Sequence, residues 1–325
     1  MMSRMTLREA AGKPEGLAPG HRLCAGCGES VIVRMVLKAT RGPTIVTNAT
    51  GCLEVATSIF PYTSWNLPWI HSAFENAAAN ASGIEAAYRA MRRKGKGPLA
   101  KYETLDVIAF AGDGGTYDIG LQALSGALER GHDFTYVLLD NEAYMNTGIQ
   151  RSGGTPFAAS TTTSPAGKVI PGKQEWKKPI DEIVIAHDIP YVATLSAAWP
   201  MDVMQKASRA IEAEGPAFLH AIVPCTRGWR FSTEKTIEIS RLAVQTCIFP
   251  LYECRLEGGR PVYELSPPSL GIARRPETKK PVEEYLSGQG RFRHLFSPER
   301  RDDLLGSIQD GVDHRWEILL EKAGL

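Results

Sequence analysis

Apolar and polar positions alternate in blocks along the first two thirds of the chain, and block length separates strands from helices. Five runs are short, almost wholly apolar and rich in β-branched or aromatic residues: 44–49 (TIVTNA), 105–111 (LDVIAFA), 134–140 (FTYVLLD), 191–195 (YVATL) and 217–223 (AFLHAIV). Runs of that kind predict strands buried on both faces. Longer stretches between them predict helices. One opens at Glu29-Ser30 and stops at Arg41-Gly42-Pro43; others cover 73–94, 116–130, 178–187 and 200–214. Glycine and proline end the first, and Arg92, Arg93 and Lys94 suit the carboxyl end of the second. Strands alternating with helices predict an α/β fold, a mostly parallel sheet covered by helices on both faces.

Ligands in such sheets bind beyond the carboxyl ends of the strands. Four features fall at those ends: 48–52 (NATGC), 112–115 (GDGG), Asp140-Asn141 and Pro224-Cys225. A long loop rich in Gly, Ser, Thr and Pro covers 151–178, a length that in a compact domain often marks function. Thr161, Thr162, Thr163 and Lys168 in it are candidates for a cover over the substrate. Beyond about residue 230 the alternation fades, 255–300 is rich in Pro and Arg, and 300–322 predicts a final helix. This divides the chain into an arm without clear period (1–20), a cofactor-binding domain (21–235) and an extension for subunit packing (236–325).

Composition narrows the class. Hydrophobic residues are 43% and charged residues 22%, which supports a packed core and excludes a wholly disordered chain. No apolar run reaches the roughly 18–20 residues of a membrane span, and no signal-peptide core is visible, so a soluble cytoplasmic protein is expected. Lys and Arg number 37 against 36 Asp and Glu, which gives no electrostatic case for nucleic acid. Six cysteines are too few for a disulfide scaffold.

The cysteines form a pattern of their own. Cys24 and Cys27 make a CAGC unit, while Cys52 and Cys225 each follow a predicted strand end. Four thiolates can hold a [4Fe–4S] cluster or a tetrahedral Zn²⁺, and a CxxC can also be a redox dithiol; unliganded buried cysteine is the remaining alternative. Cys247 and Cys254 read as small buried hydrophobes. Trp65, Trp69 and Trp229 read as core packing.

Asp113 sits between glycines, where the backbone can approach a phosphate and a carboxylate can hold Mg²⁺. The helix expected from Thr116 would point its positive end at the same place. Asn141 follows 28 residues on, at the end of the next predicted strand. One βαβ crossover spans that distance, so the two can sit on neighbouring strands. GDG followed by Asn at this spacing resembles the thiamine diphosphate motif. The resemblance implies that Asp113, Asn141 and the carbonyl of Ala143 bind Mg²⁺, with Gly112, Gly114 and Gly115 beside the diphosphate.

The order CAGCG, NATGC, GDGGTYDIGLQAL, DNEAYMNTGIQRS and VPC resembles the β subunit of 2-oxoacid:ferredoxin oxidoreductases, the pyruvate synthase family. It extends from about residue 18 to 230 and continues weakly at KPVEEYL (280–286) and GRFRHL (290–295). The resemblance implies a thiamine diphosphate-binding fold with Cys24, Cys27, Cys52 and Cys225 as ligands of a [4Fe–4S] cluster. It places Asn146 near the reacting centre and substrate. It implies oxidative decarboxylation of a 2-oxoacid, most often pyruvate to acetyl-CoA and CO₂, with electrons passing through the cluster to ferredoxin. The family's glutamate that activates thiamine comes from another subunit, so neither Glu54 nor Glu75 is assigned, and activity is expected only with the other (α, γ, δ or fused) subunits. Oxalate, 2-oxoglutarate and branched-chain 2-oxoacids are alternative substrates, and coenzyme A use follows the substrate. Rival readings are a thiamine decarboxylase without a cluster and a zinc-stabilised assembly subunit without catalysis.

Overall fold

The computed structural model describes residues 6–325; residues 1–5 of the expected arm lie outside them. Eight strands form one sheet: β1 (Thr44–Ala49), β2 (Trp69–Ser72), β3 (Asp106–Gly112), β4 (Thr135–Asp140), β5 (Tyr191–Ser196), β6 (Ala217–Ile222), β7 (Tyr252–Glu257) and β8 (Arg260–Leu265). Their order is β2-β1-β3-β4-β6-β5-β7-β8. The first six in that order pair in parallel, and β7 and β8 add antiparallel at one edge. The five apolar runs are therefore strands, as their pattern predicts.

Burial on both faces explains those runs. Val107, Ala109 and Ala111 of β3 point into one core with Tyr136 and Leu138 of β4, while Ile108, Phe110, Val137 and Leu139 point into the other. Helices Ala77–Lys94 and Leu121–Glu129 cover the first face; helices Gly28–Lys38 and Pro200–Glu212 cover the second. Pro200 occupies the first turn of its helix, where its missing N–H costs nothing. The Ala-rich helix Ala77–Lys94 stops at Gly95 in the left-handed conformation, behind the three basic residues of its last turn.

Several elements differ from the expectation. The arm contains a short helix, Leu7–Gly12, capped by Thr6 and Glu9, and Leu17 is buried in a bridge to Trp65. The helix expected from residue 73 starts at Ala77, and the Phe74 carbonyl before it lies 2.9 Å from where a Cβ at Gly115 would stand. The stretch 116–130 is broken: Gly114–Asp118 is a single π-helical turn, and the α-helix begins only at Leu121. Gly120 lies at the break, where a Cβ would stand 2.1 Å from the Gly115 carbonyl, so only glycine fits. The expected helix dipole at Thr116 is thus replaced by a π-turn, a device that recurs at functional sites. Loop 151–178 forms no helix or strand, yet Ser152, Thr155, Ala158 and Ala159 are fully buried. After residue 235, helix Thr236–Gln245, the β7–β8 hairpin and helix Asp302–Lys322 pack onto the same core as β4 and β6. No helix among the described residues is long and apolar enough to cross a membrane.

Phe218, wholly buried on β6, stacks on Tyr136 with ring centroids 5.7 Å apart. Phe218→Ala is expected to cost about 3–5 kcal/mol, seen as a lower unfolding midpoint in denaturant; an unshifted midpoint would contradict this packing.

Candidate active site

Strand β1 leads outward to β2, and the chain then returns across β1 to β3, so a crevice opens at the carboxyl ends of β1, β3 and β4. It is lined by Asn48, Cys52, Asp113, Gly114, Asn141 and Ala143, among others, and encloses about 30 Å³. Asp113 follows β3, and Asn141 follows β4; the two strands are hydrogen-bonded neighbours with Gly112 opposite Leu139. Asp113 is buried, and its carboxylate accepts from the Ser152 hydroxyl. Burial and the nearby Asp140 charge push its pKa well above the usual carboxylate range. Gly114 lies against the Tyr144 ring so closely that a Cβ would stand 2.2 Å from it. Asn146 is exposed at the mouth of the crevice.

These residues offer hard oxygen donors. The Asn141 amide nitrogen donates to Glu29 Oε1 at 3.0 Å, but its oxygen is buried with no hydrogen-bond partner. Glu29 Oε2 and Asn48 Oδ1 are likewise buried and unpartnered. A cation beside Asp113 and Asn141 would satisfy the Asn141 oxygen and remove the cost of the buried Asp113 charge. The donor set therefore fits Mg²⁺. Glu29 was missed by sequence reasoning, which used it only as a helix start. Its signal was its position two residues after Cys27, in the first turn of helix Gly28–Lys38. Burial pushes its pKa up to about 7, against the opposing hydrogen bond from Asn141.

Cys52 lines the crevice, and the other three cysteines lie near enough to act on it. Cys24, Cys27 and Cys225 all exert charge effects on Cys52, as does Glu29. Burial, and then Glu29, raise the Cys27 thiol well above its usual range; burial also raises Cys52 and Cys225. Neutral thiols of this kind lose their protons only when a cation or cluster takes the sulfur. The backbone around them is shaped for close approach. Gly26 is left-handed (φ 72°), a Cβ there would lie 2.4 Å from the Thr233 carbonyl, and Gly228 N–H donates to Cys225 Sγ at 3.3 Å. Four sulfurs with a backbone N–H directed at one of them suit an iron–sulfur cluster. Among the described residues, no three His, Cys, Asp or Glu side chains are grouped to hold a single metal ion. Cys247 and Cys254 are buried far along the chain, as expected of packing residues.

Behind the crevice lies a buried charge network that the sequence reading did not anticipate. Asp140 Oδ2 accepts from Tyr117 (2.8 Å), His220 (2.9 Å) and Lys177 (2.6 Å). Lys177 also reaches Glu142 at 2.8 Å, and the other His220 nitrogen faces Asp181 at 2.9 Å. Burial opposes the Asp140 charge, but Lys177 and His220 overcome it and hold the carboxyl far below its usual range. The one visible signal was His220, a polar residue inside the apolar run AFLHAIV. A second cavity of about 870 Å³ adjoins this network; it is lined by Cys247 but by none of the expected cofactor or cluster ligands.

Residues 49–221 match the family described as thiamine pyrophosphate enzyme, C-terminal TPP binding domain, so the crevice belongs to a thiamine pyrophosphate-binding domain. Pyruvate synthase subunit PorB of Methanocaldococcus jannaschii is 53% identical, over 94% of this chain and 97% of its own length. PorB of Thermotoga maritima is 52% identical over 95% of this chain and 92% of its own, and ketoisovalerate oxidoreductase subunit VorB of Pyrococcus abyssi is 45% identical over 95% and 94%. The chain belongs to the β subunits of the 2-oxoacid:ferredoxin oxidoreductases. The fold is shared with a 2-oxoglutarate:ferredoxin oxidoreductase from Magnetococcus marinus, with a TM-score of 0.51, 19% identity, and coverage of 85% of this chain and 92% of that one.

The His220 network sets a pH dependence. Burial alone would lower this histidine, but Asp181 and Asp140 raise it from 6.5 to about 9. The folded pKa exceeds the unfolded one, so its contribution is complete below about pH 6.5 and is lost as pH rises through about 9. The wild-type melting temperature should fall across that window, and His220→Gln should flatten the fall; equal slopes would remove His220 as its source.

Proposed function

We propose that this β subunit holds thiamine diphosphate, Mg²⁺ and a [4Fe–4S] cluster. In this reading it oxidatively decarboxylates pyruvate to acetyl-CoA and CO₂ within a cytoplasmic multi-subunit complex that reduces ferredoxin. The observation that carries the reading is a shared address. Asp113 and Asn141 line one crevice with Cys52, and Glu29, which accepts from Asn141, lies near enough to Cys27 and Cys52 for its charge to act on both. Close identity to pyruvate synthase subunits supports pyruvate. The 45% identity to a ketoisovalerate oxidoreductase subunit supports branched-chain 2-oxoacids as the second reading.

Each residue then has a task. Asp113 and the Asn141 oxygen hold Mg²⁺ with the Ala143 carbonyl, and Mg²⁺ fixes the diphosphate. Gly112, Gly114 and Gly115 keep the wall flat enough for that approach. Asn146 faces the substrate at the open mouth. Cys24, Cys27, Cys52 and Cys225 hold the cluster, and the Gly228 N–H tunes one sulfur. When bound, thiamine diphosphate would supply an electron sink for decarboxylation, and the cluster an electron acceptor beside it. The division into arm 1–20, cofactor domain 21–235 and packing extension 236–325 belongs to the same reading.

The test is viologen-coupled activity of the intact complex, prepared without oxygen, across a panel of 2-oxoacids with and without coenzyme A. Pyruvate with coenzyme A should give the highest kcat/KM; a preference for a branched-chain 2-oxoacid would move the assignment to the second reading. Absorbance near 400 nm should bleach on reduction and be disturbed in Cys52→Ser, whereas about one zinc and no iron would overturn the cluster. Asp113→Ala should weaken Mg²⁺-dependent thiamine diphosphate binding by more than about 100-fold, beyond the 10–100-fold typical of residues that only orient a metal ligand, while leaving that absorbance intact.

A further inference from the structure

The weak motif at 290–295 (GRFRHL) has no part in the function described so far, yet its arginine reaches the centre of the molecule. Arg291 Nη2 donates to Glu142 Oε2 at 2.6 Å, and both side chains are only 3% exposed. Its Nε donates to Gln289 Oε1 at 2.9 Å, and its guanidinium lies 4.0 Å from the Trp229 ring centroid. The Trp229 indole in turn donates to the carbonyl of Asn141 at 2.8 Å. Arg291 and Trp229 thus grip two successive residues of the segment 141–143.

The residue between Asn141 and Ala143 is strained. Glu142 has φ 67°, a left-handed conformation uncommon for any residue but glycine and asparagine. Such a residue persists only where its surroundings over-determine it. Here its N–H donates to Asp140 Oδ1 (3.0 Å), its carbonyl accepts from Thr155 (2.7 Å), and its carboxylate is held by Lys177 and Arg291. The turn has a visible result. Asn141 and Ala143 line the crevice, while the Glu142 side chain faces the opposite cavity and its two cations.

We propose that Arg291, with Trp229, is a positioning residue: it holds Glu142 in the left-handed turn that directs Asn141 and Ala143 at the diphosphate's Mg²⁺. This rests on the proposed function above, and it gives the C-terminal extension a direct part in cofactor binding. An arginine suits the position better than lysine because the planar guanidinium can stack on the indole while bonding the carboxylate.

The experiment measures thiamine diphosphate binding to the intact complex by tryptophan fluorescence over a series of MgCl₂ concentrations, for wild type, Arg291→Lys, Arg291→Met and Asp113→Ala. The half-saturating Mg²⁺ concentration should rise at least about tenfold in Arg291→Met and by less in Arg291→Lys, as for other residues that orient a metal ligand. Excess Mg²⁺ should restore binding in the Arg291 variants but not in Asp113→Ala, and cluster absorbance should match wild type. Hydrogen exchange should quicken at 141–145 and not in β1 or β6. If Arg291→Met fails to fold, Arg291→Lys and the pair Glu142→Gln/Arg291→Met carry the measurement. Unchanged Mg²⁺ dependence in the folded Arg291 variants, with a shift in Asp113→Ala, overturns the positioning role alone. An unchanged Asp113→Ala overturns the metal site beneath it.

Discussion

Parallel pairing of β1, β3 and β4 is the constraint on which the rest of the molecule depends. A parallel sheet aligns all its carboxyl ends on one side, so residues just past three different strands become neighbours without any special device. Asn48 pairs opposite Phe110, and Gly112 opposite Leu139. That register places the NATGC, GDGG and Asp140-Asn141 segments at one crevice. The crossover requirement has a second effect, because helices on both faces leave the strands no polar side and force the apolar runs seen in the chain.

Much of this is legible in the sequence alone. Runs buried on both faces cannot alternate, and the five that showed no alternation are strands to within a residue or two. The elements that went unread follow other rules. Strand β2 (WIHS) has four residues, two of them exposed, and β8 (RPVYEL) is an edge strand with four of six exposed. Their composition reads as loop. The site divides in the same way. Asp113 and Asn141 carry a local signature because metal and diphosphate require glycines and strand ends. Glu142 and Arg291 carry none and Glu29 only its nearness to Cys27, since their partners lie 112 and 149 residues away in sequence. Only the folded chain reveals that a carboxylate near one cysteine touches an asparagine two strands on.

The buried ions behind the crevice have a different weight from those on the surface. Removing one partner from a buried pair such as Arg291–Glu142 leaves an uncompensated charge and typically costs about 3–5 kcal/mol. Exposed pairs such as Arg255–Glu264 contribute little. The Asp140 carboxylate has four hydrogen-bonding partners, two of them cationic side chains, which lets a full negative charge stay buried next to Asp113. The same arrangement explains why the loop 151–178 is ordered without helix or strand. Ser152 answers Asp113, Thr155 answers the Glu142 carbonyl, and Lys177 answers two carboxylates.

The antiparallel hairpin β7–β8 has a consequence for solubility. An open sheet edge is a row of unsatisfied backbone groups that invites another chain to pair. The outer strand here carries Pro261, which has no N–H, and exposed charges at Arg260 and Glu264, while the opposite edge is the four-residue β2. Both edges therefore offer a poor template for strand addition. A chain surrounded by other copies and other subunits during synthesis is thereby guarded against growing into a fibre.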